Sequence, residues 1–154
     1  MVEISTIPPY ILPLFIERAY SGDKELLETY HIVNGSLEFC VKEQVKIIRT
    51  QSRFDNLVFY GLKIADDIIG YMVIGENYLF SYCINIAYRT KVVLMDWWAQ
   101  VIDLFKGHFG TFLYKKNDRA LRFMIRNGME VIDEKPNYVT LIYTGPWPLS
   151  SPQQ

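Results

Sequence analysis

Residues 57–88 read LVFYGLKIADDIIGYMVIGENYLFSYCINIAY. Three runs within it, 57–65, 68–74 and 78–88, are rich in β-branched and aromatic residues, and Asp66-Asp67 and Gly75-Glu76-Asn77 between them suit tight hairpin turns. The stretch therefore predicts three consecutive antiparallel strands. In the third, Phe80, Tyr82, Ile84, Ile86 and Tyr88 put large groups on one face, while Ser81, Cys83, Asn85 and Ala87 put small ones on the other. The small-residue face leaves room for a helix or a ligand.

Upstream, residues 2–7 alternate weakly and read as a short edge strand, stopped by Pro8-Pro9, which cannot donate to a sheet ladder. Residues 10–20 read as a helix with Pro13 in its first turn and Gly22 as its stop. Asp23 is the N-cap of a second stretch, in which Leu26, Leu27, Tyr30 and Val33 mark one face before Asn34-Gly35 breaks it. Ser36 caps a third helix over 36–49, where Leu37, Val41, Val45 and Ile48 recur at helical spacing and Glu38, Lys42, Glu43 and Lys46 point outward.

Downstream, Thr90 caps a helix over 91–106 whose polar positions Asp96, Gln100 and Asp103 form one narrow stripe. The rest of this helix is apolar almost all round, so it is packed on two or more sides. Trp97 and Trp98 point about 100° apart and need two covering surfaces. One is the sheet; a neighbouring chain is the candidate for the other, which makes a homodimer an expectation. Residues 109–114 read as a strand. Asn117 or Asp118 caps a helix ending at Asn127 with Gly128 as its C-terminal stop, and 129–133 and 138–143 form a hairpin around Lys135-Pro136-Asn137. The order implies one domain over residues 1–144, of mixed α/β class, with an antiparallel meander, a crossover unit and helices on both faces of one sheet. Residues 145–154, with Pro146, Pro148 and Pro152, read as an extended or mobile tail.

Composition narrows the function. Half of the 154 residues are hydrophobic, 15% are aromatic and 21% are charged, which suits a folded chain with a ring-rich core. The net charge of −1 argues against a protein that coats nucleic acid. Cys40 and Cys83 are read as reduced core thiols, and with His31 and His108 they give neither a metal constellation nor a catalytic triad. Residues 4–16 lack the basic flank of a signal peptide and no segment approaches the roughly 20 apolar residues of a membrane helix, so a cytoplasmic location is the default.

Two short segments carry a resemblance. Asn117, Arg119, Ala120, Leu121 and Phe123, followed by Gly128 and Met129, are similar to the last helix of the GCN5-related N-acetyltransferase (GNAT) superfamily, written N-x-x-A-(I/L)-x-(L/F)-Y-x-x-x-G-F. Ile84, Ile86, Tyr88, Arg89 and Lys91 are similar to its run V-x-P-x-(Y/F)-R-G-K-G-(I/L)-G. The element order resembles that superfamily over nearly the whole chain before the tail.

The resemblance implies an N-acyltransferase that moves an acyl group from acetyl-CoA or another acyl-CoA to a small-molecule or peptide amine. It implies that Ile84 and Ile86 pair with the pantetheine arm, that Arg89, Thr90, Lys91 and Val92 surround the pyrophosphate, and that Asn117 and Ala120 admit the arm at the last helix. It also exposes departures. Thr90, Val92 and Leu94 stand where the family prefers glycine or alanine, so Val92 is expected to narrow the cradle. Met124 stands where a tyrosine often protonates the leaving thiolate, and the third meander strand holds no carboxylate to act as base. No catalytic residue is assigned by spacing. The alternative is a GNAT-fold binding or assembly protein without this chemistry, of a kind plausible in phage genomes.

Overall fold

The structure is a computed structural model and describes residues 1–30 and 36–148. Its elements are β1 (Glu3–Thr6), α1 (Leu12–Tyr20), α2 (Lys24–Tyr30), α3 (Leu37–Ser52), β2 (Val58–Ile64), β3 (Asp67–Ile74), β4 (Tyr78–Ile84), α4 (Lys91–Leu104), β5 (Gly110–Tyr114), α5 (Asp118–Arg126), β6 (Met129–Glu134) and β7 (Tyr138–Tyr143). Three of the expected caps form, whereas Asn117 stands at the start of α5 without a side-chain capping bond. Asp23 Oδ1 accepts from the Leu26 amide at 3.1 Å, Ser36 Oγ from the Phe39 amide at 3.1 Å and Thr90 Oγ1 from the Val93 amide at 3.3 Å. Helix α3 continues through Thr50, Gln51 and Ser52, whose Thr50 and Ser52 hydroxyls bond back to the carbonyls of Lys46 and Ile48. His31, Val33, Asn34 and Gly35 lie outside the described residues.

One seven-stranded sheet runs β1-β2-β3-β4-β5-β7-β6, antiparallel at every step except the parallel pair β4/β5. Helices cover both faces, because two separate apolar clusters need cover. Leu12, Phe15, Ile16 and Ala19 of α1 pack with Tyr71 and Val73 on one side. Val93, Trp97, Trp98 and Val101 of α4 pack with Leu79, Ile84 and Met124 on the other. The α1 side is tight: Gly61 of β2 lies directly under the buried Phe15 ring, and a Cβ there would run into it. Gly61→Ala is expected to cost about 2 kcal/mol of unfolding free energy, measured by urea denaturation, with part of it recovered by adding Phe15→Leu.

The third meander strand departs from the expected pattern in two ways. It stops at Ile84, so Ile86 and Tyr88 are not strand residues but lie in a 3-10 turn. Asn85 causes the stop: its Oδ1 takes the Ala87 amide at 2.9 Å, and its Nδ2 donates to the carbonyls of Arg18 and Ser21 at the end of α1. In addition the register slips between Val73↔Ser81 and Ile74↔Leu79, which leaves Phe80 as an extra residue. That bulge turns Phe80 to the α1 and α3 side with Cys83, while Leu79, Tyr82 and Ile84 meet α4. The five large groups thus do not share a face.

Trp97 and Trp98 are both buried, 3% and 1% exposed. The chain itself supplies both surfaces, which corrects the reason given for a homodimer. Trp97 packs on Tyr82 of the sheet with ring centres 5.8 Å apart. Trp98 meets Phe123 of α5 at 5.8 Å and Phe109 at 5.6 Å, and its Nε1 donates to the Asn127 carbonyl at 3.0 Å. Of the proline-rich tail, residues 145–148 are described: the Pro146 carbonyl accepts from the Tyr143 hydroxyl at 2.8 Å, and Trp147 Nε1 donates to Asp103 at 3.2 Å.

Candidate active site

Strands β4 and β5 pair only at Tyr78↔Gly110 and Leu79↔Thr111, where buried Thr111 Oγ1 donates to the Leu79 carbonyl at 2.8 Å. Beyond that point they diverge. The Asn85 amide donates to Ile69 of β3 at 2.7 Å, so strand alternation turns the backbone groups of Tyr82 and Ile84 to the opposite edge, into the gap. A chain of amides entering there would meet the backbone N–H groups of Tyr82 and Ile84, while the Ile84 carbonyl accepts from Arg89 Nε at 2.7 Å.

Two cavities adjoin the gap. The smaller, about 250 Å³, has walls from Ile84, Leu94, Trp97, Ala120 and Met124, and its charged residues are Arg89 and Arg119. The larger, about 380 Å³, has walls from Phe80, Ser81, Phe112, Tyr114 and Tyr138 and lies toward α1 and α3. Leu26, Tyr82 and Asn117 line both. The geometry therefore offers two compartments that meet at a phenol and a carboxamide.

The residues singled out by sequence separate on this frame. Ile84, Arg89, Asn117 and Ala120 line the smaller cavity. Ile86 does not: it lies past the strand end and is 43% exposed. Thr90 caps α4, so the amides of Lys91 and Val92 precede the first helical bond, which the Leu94 amide makes to the Thr90 carbonyl at 2.9 Å. Val92 is 62% exposed and lines neither cavity. Leu94, two residues on, is on the wall of the smaller one.

Arg89 is committed elsewhere. Its Nη2 lies 2.7 Å from Oδ2 of Asp23, a carboxylate only 2% exposed, and its Nε donates to the Ile84 carbonyl at 2.7 Å. It ties the end of β4 to the start of α2. In the basic run after β5, Lys115 pairs with Glu134 and Arg122 with Asp118, and Arg119 is the member on the cavity wall.

Tyr82 is the residue that sequence reasoning missed. Its hydroxyl donates to Met124 Sδ at 3.7 Å, so a phenol from β4 reaches over the α5 position where the resemblance leads one to look for a tyrosine. Strand-to-helix pairing of this kind leaves no mark in local spacing. Tyr114 lines the larger cavity and not the smaller. Burial pushes the thiols of Cys40 and Cys83 up to about 12, with Arg89 pulling Cys83 partly back, so both are neutral near pH 7 and poor nucleophiles. Among the described residues no group of His, Cys, Asp and Glu is arranged to hold a metal ion. No described helix is long and apolar enough to cross a membrane.

Compared by sequence, the chain matches no protein-family model and no curated protein. It is similar in fold to solved structures. A Pyrococcus horikoshii protein is 13% identical, with 93% of this chain and 98% of that one covered and a TM-score of 0.68. The PaiA N-acetyltransferase of Thermoplasma acidophilum, solved in complex with coenzyme A, is 22% identical, with 92% and 97% covered and a TM-score of 0.53. A GCN5-related N-acetyltransferase of Rhodopseudomonas palustris is 10% identical, with 92% of each chain covered and a TM-score of 0.57. The chain has the GNAT fold.

Proposed function

We propose that the protein is an acyl-CoA-dependent N-acyltransferase. The observation that carries this reading is the gap between β4 and β5, which turns the backbone of Tyr82 and Ile84 outward and joins two cavities across Tyr82 and Asn117. An acyl-CoA fits the chemistry of the smaller cavity. Its walls are apolar at Ile84, Leu94, Trp97 and Ala120, which suits the hydrocarbon parts of a pantetheine arm. The leading amides of α4, with Lys91 beside them, suit a pyrophosphate, and Arg119 suits a further phosphate. The amides of Tyr82 and Ile84 suit the pantetheine arm, with Ala120 and Asn117 flanking it.

When bound, acyl-CoA supplies a thioester carbonyl as electrophile and a thiol as leaving group. The chain supplies backbone donors at Tyr82 and Ile84 that polarise a carbonyl, and the Tyr82 hydroxyl as a proton source at the junction of the cavities. The non-catalytic alternative is favoured by one observation, the Leu94 side chain on the wall of the smaller cavity. One measurement separates the readings. Acetyl-CoA at about 100 times its Kd should stabilise the fold by roughly 2.7 kcal/mol, a rise in Tm of about 5–10 °C. Leu94→Ala should bind at least as tightly, and Val92→Gly should leave affinity within about twofold. No shift in the wild type or in Leu94→Ala would overturn the proposal in favour of the non-catalytic reading.

A further inference from the structure

The larger cavity is built unlike a site for a charged amine. Six rings line it, Tyr20 of α1, Phe80 and Tyr82 of β4, Phe112 and Tyr114 of β5 and Tyr138 of β7. Its polar groups are neutral. Ser81 Oγ belongs to a hydroxyl chain, 2.7 Å from the Tyr71 hydroxyl and 3.5 Å from Gln44 Oε1. Among the described residues no charged side chain lines it. The titratable groups facing it are the phenols of Tyr20 on α1, Tyr82 on β4, Tyr114 on β5 and Tyr138 on β7. Burial raises Tyr20 well above the ordinary tyrosine value, so that hydroxyl is a donor and not a base.

Two consequences follow for an acceptor. An alkylammonium would leave water for a cavity with no carboxylate to hold it, which is costly. Aromatic faces attract such a cation, but they hold it in the protonated form, which has no lone pair to attack with. An amine attached directly to an aromatic ring avoids both problems: it is neutral near pH 7, it needs no base before attack, and its ring matches the walls. The cavity's 380 Å³ is in the range of small-molecule sites.

We infer that the acceptor is a weakly basic amine carried on an aromatic ring, bound in the larger cavity between the rings of Phe80, Phe112, Tyr114 and Tyr138. This rests on the acyltransferase reading above. The amine nitrogen forms the new C–N bond as the C–S bond breaks; one amine proton goes to solvent and the sulfur takes one proton, giving an amide and a free thiol.

The experiment uses the full chain and begins without acyl donor. A fluorescent aminoquinoline is titrated into the protein, and its binding is compared with that to Phe112→Ala, a substitution at a residue already 46% exposed and so tolerated by the fold. Saturable binding that weakens about fivefold in the variant, while the variant's affinity for acetyl-CoA is unchanged, is expected from loss of one aromatic wall. With acetyl-CoA added, thiol release should be at least tenfold faster with the aminoquinoline than with spermidine or a lysine-containing peptide. Absence of aminoquinoline binding overturns the inference, as does faster turnover of spermidine or the peptide. Aminoquinoline binding in a protein that fails to bind acetyl-CoA would sink the acyltransferase reading and still support an aromatic-amine site.

Discussion

Replacing Arg89 by methionine is expected to lower the unfolding free energy by about 3 kcal/mol, read as a fall in the urea midpoint at pH 7 with the slope unchanged. The reason lies in Asp23. One of its oxygens caps α2 through the Leu26 amide, and the other forms an ion pair with Arg89 whose angle falls short of a directed hydrogen bond. Removing the guanidinium leaves a carboxylate stranded in the interior and frees the Ile84 carbonyl that Arg89 also holds. The cost sits at the low end for a broken buried pair because the Arg89 side chain is 27% exposed. Adding Asp23→Asn should restore part of the loss, since the amide oxygen still caps α2 and carries no charge. If Arg89 served only to bind phosphate, the free protein would be as stable as wild type, and only its affinity for acetyl-CoA would fall.

Tyr82→Phe is expected to lower kcat about 100-fold while leaving the Kd for acetyl-CoA within about twofold. The substitution keeps the ring that packs on Trp97 at 5.8 Å and removes the hydroxyl that reaches Met124 Sδ. Stability should change little, because a hydrogen bond to a thioether is weak. The decisive readout is the leaving group. With a thioester whose thiol is already strongly acidic, the sulfur departs without a proton, and the deficit of Tyr82→Phe should shrink to a few fold. A deficit that is the same for acidic and ordinary leaving thiols would assign Tyr82 a packing role and not proton donation. Tyr114→Phe serves as the comparison, since Tyr114 lines only the larger cavity.

Part of the cavity lining was legible in the sequence. Ile84, Asn117 and Ala120, which the resemblance singles out, line the smaller cavity, although Asn117 stands at the start of α5 without a side-chain capping bond. Ile86 and the Val92 side chain, singled out beside them, line neither cavity. Asn85 ends the strand by bonding to α1, a partner remote in sequence, and Val92 sits on the outer face of α4 while Leu94 turns inward. Arg89 was read as free to bind an anion because its partner, Asp23, lies beyond three intervening strands and two α-helices.

Taken alone, the sequence determined what depends on near neighbours: the Ser36 and Thr90 caps, the stop at Gly128 with φ of +104°, the meander and its turns, and an element order compatible with a mixed sheet covered on both faces. Tertiary structure decided what depends on contacts across the fold. It slipped Phe80 out of register, spent Arg89 on Asp23, covered Trp98 with α5 and brought the Tyr82 hydroxyl over Met124. The physical reason is range. Capping and strand alternation act over a few residues and leave a periodic trace, whereas burial and charge pairing are settled by whichever groups the packed chain brings together.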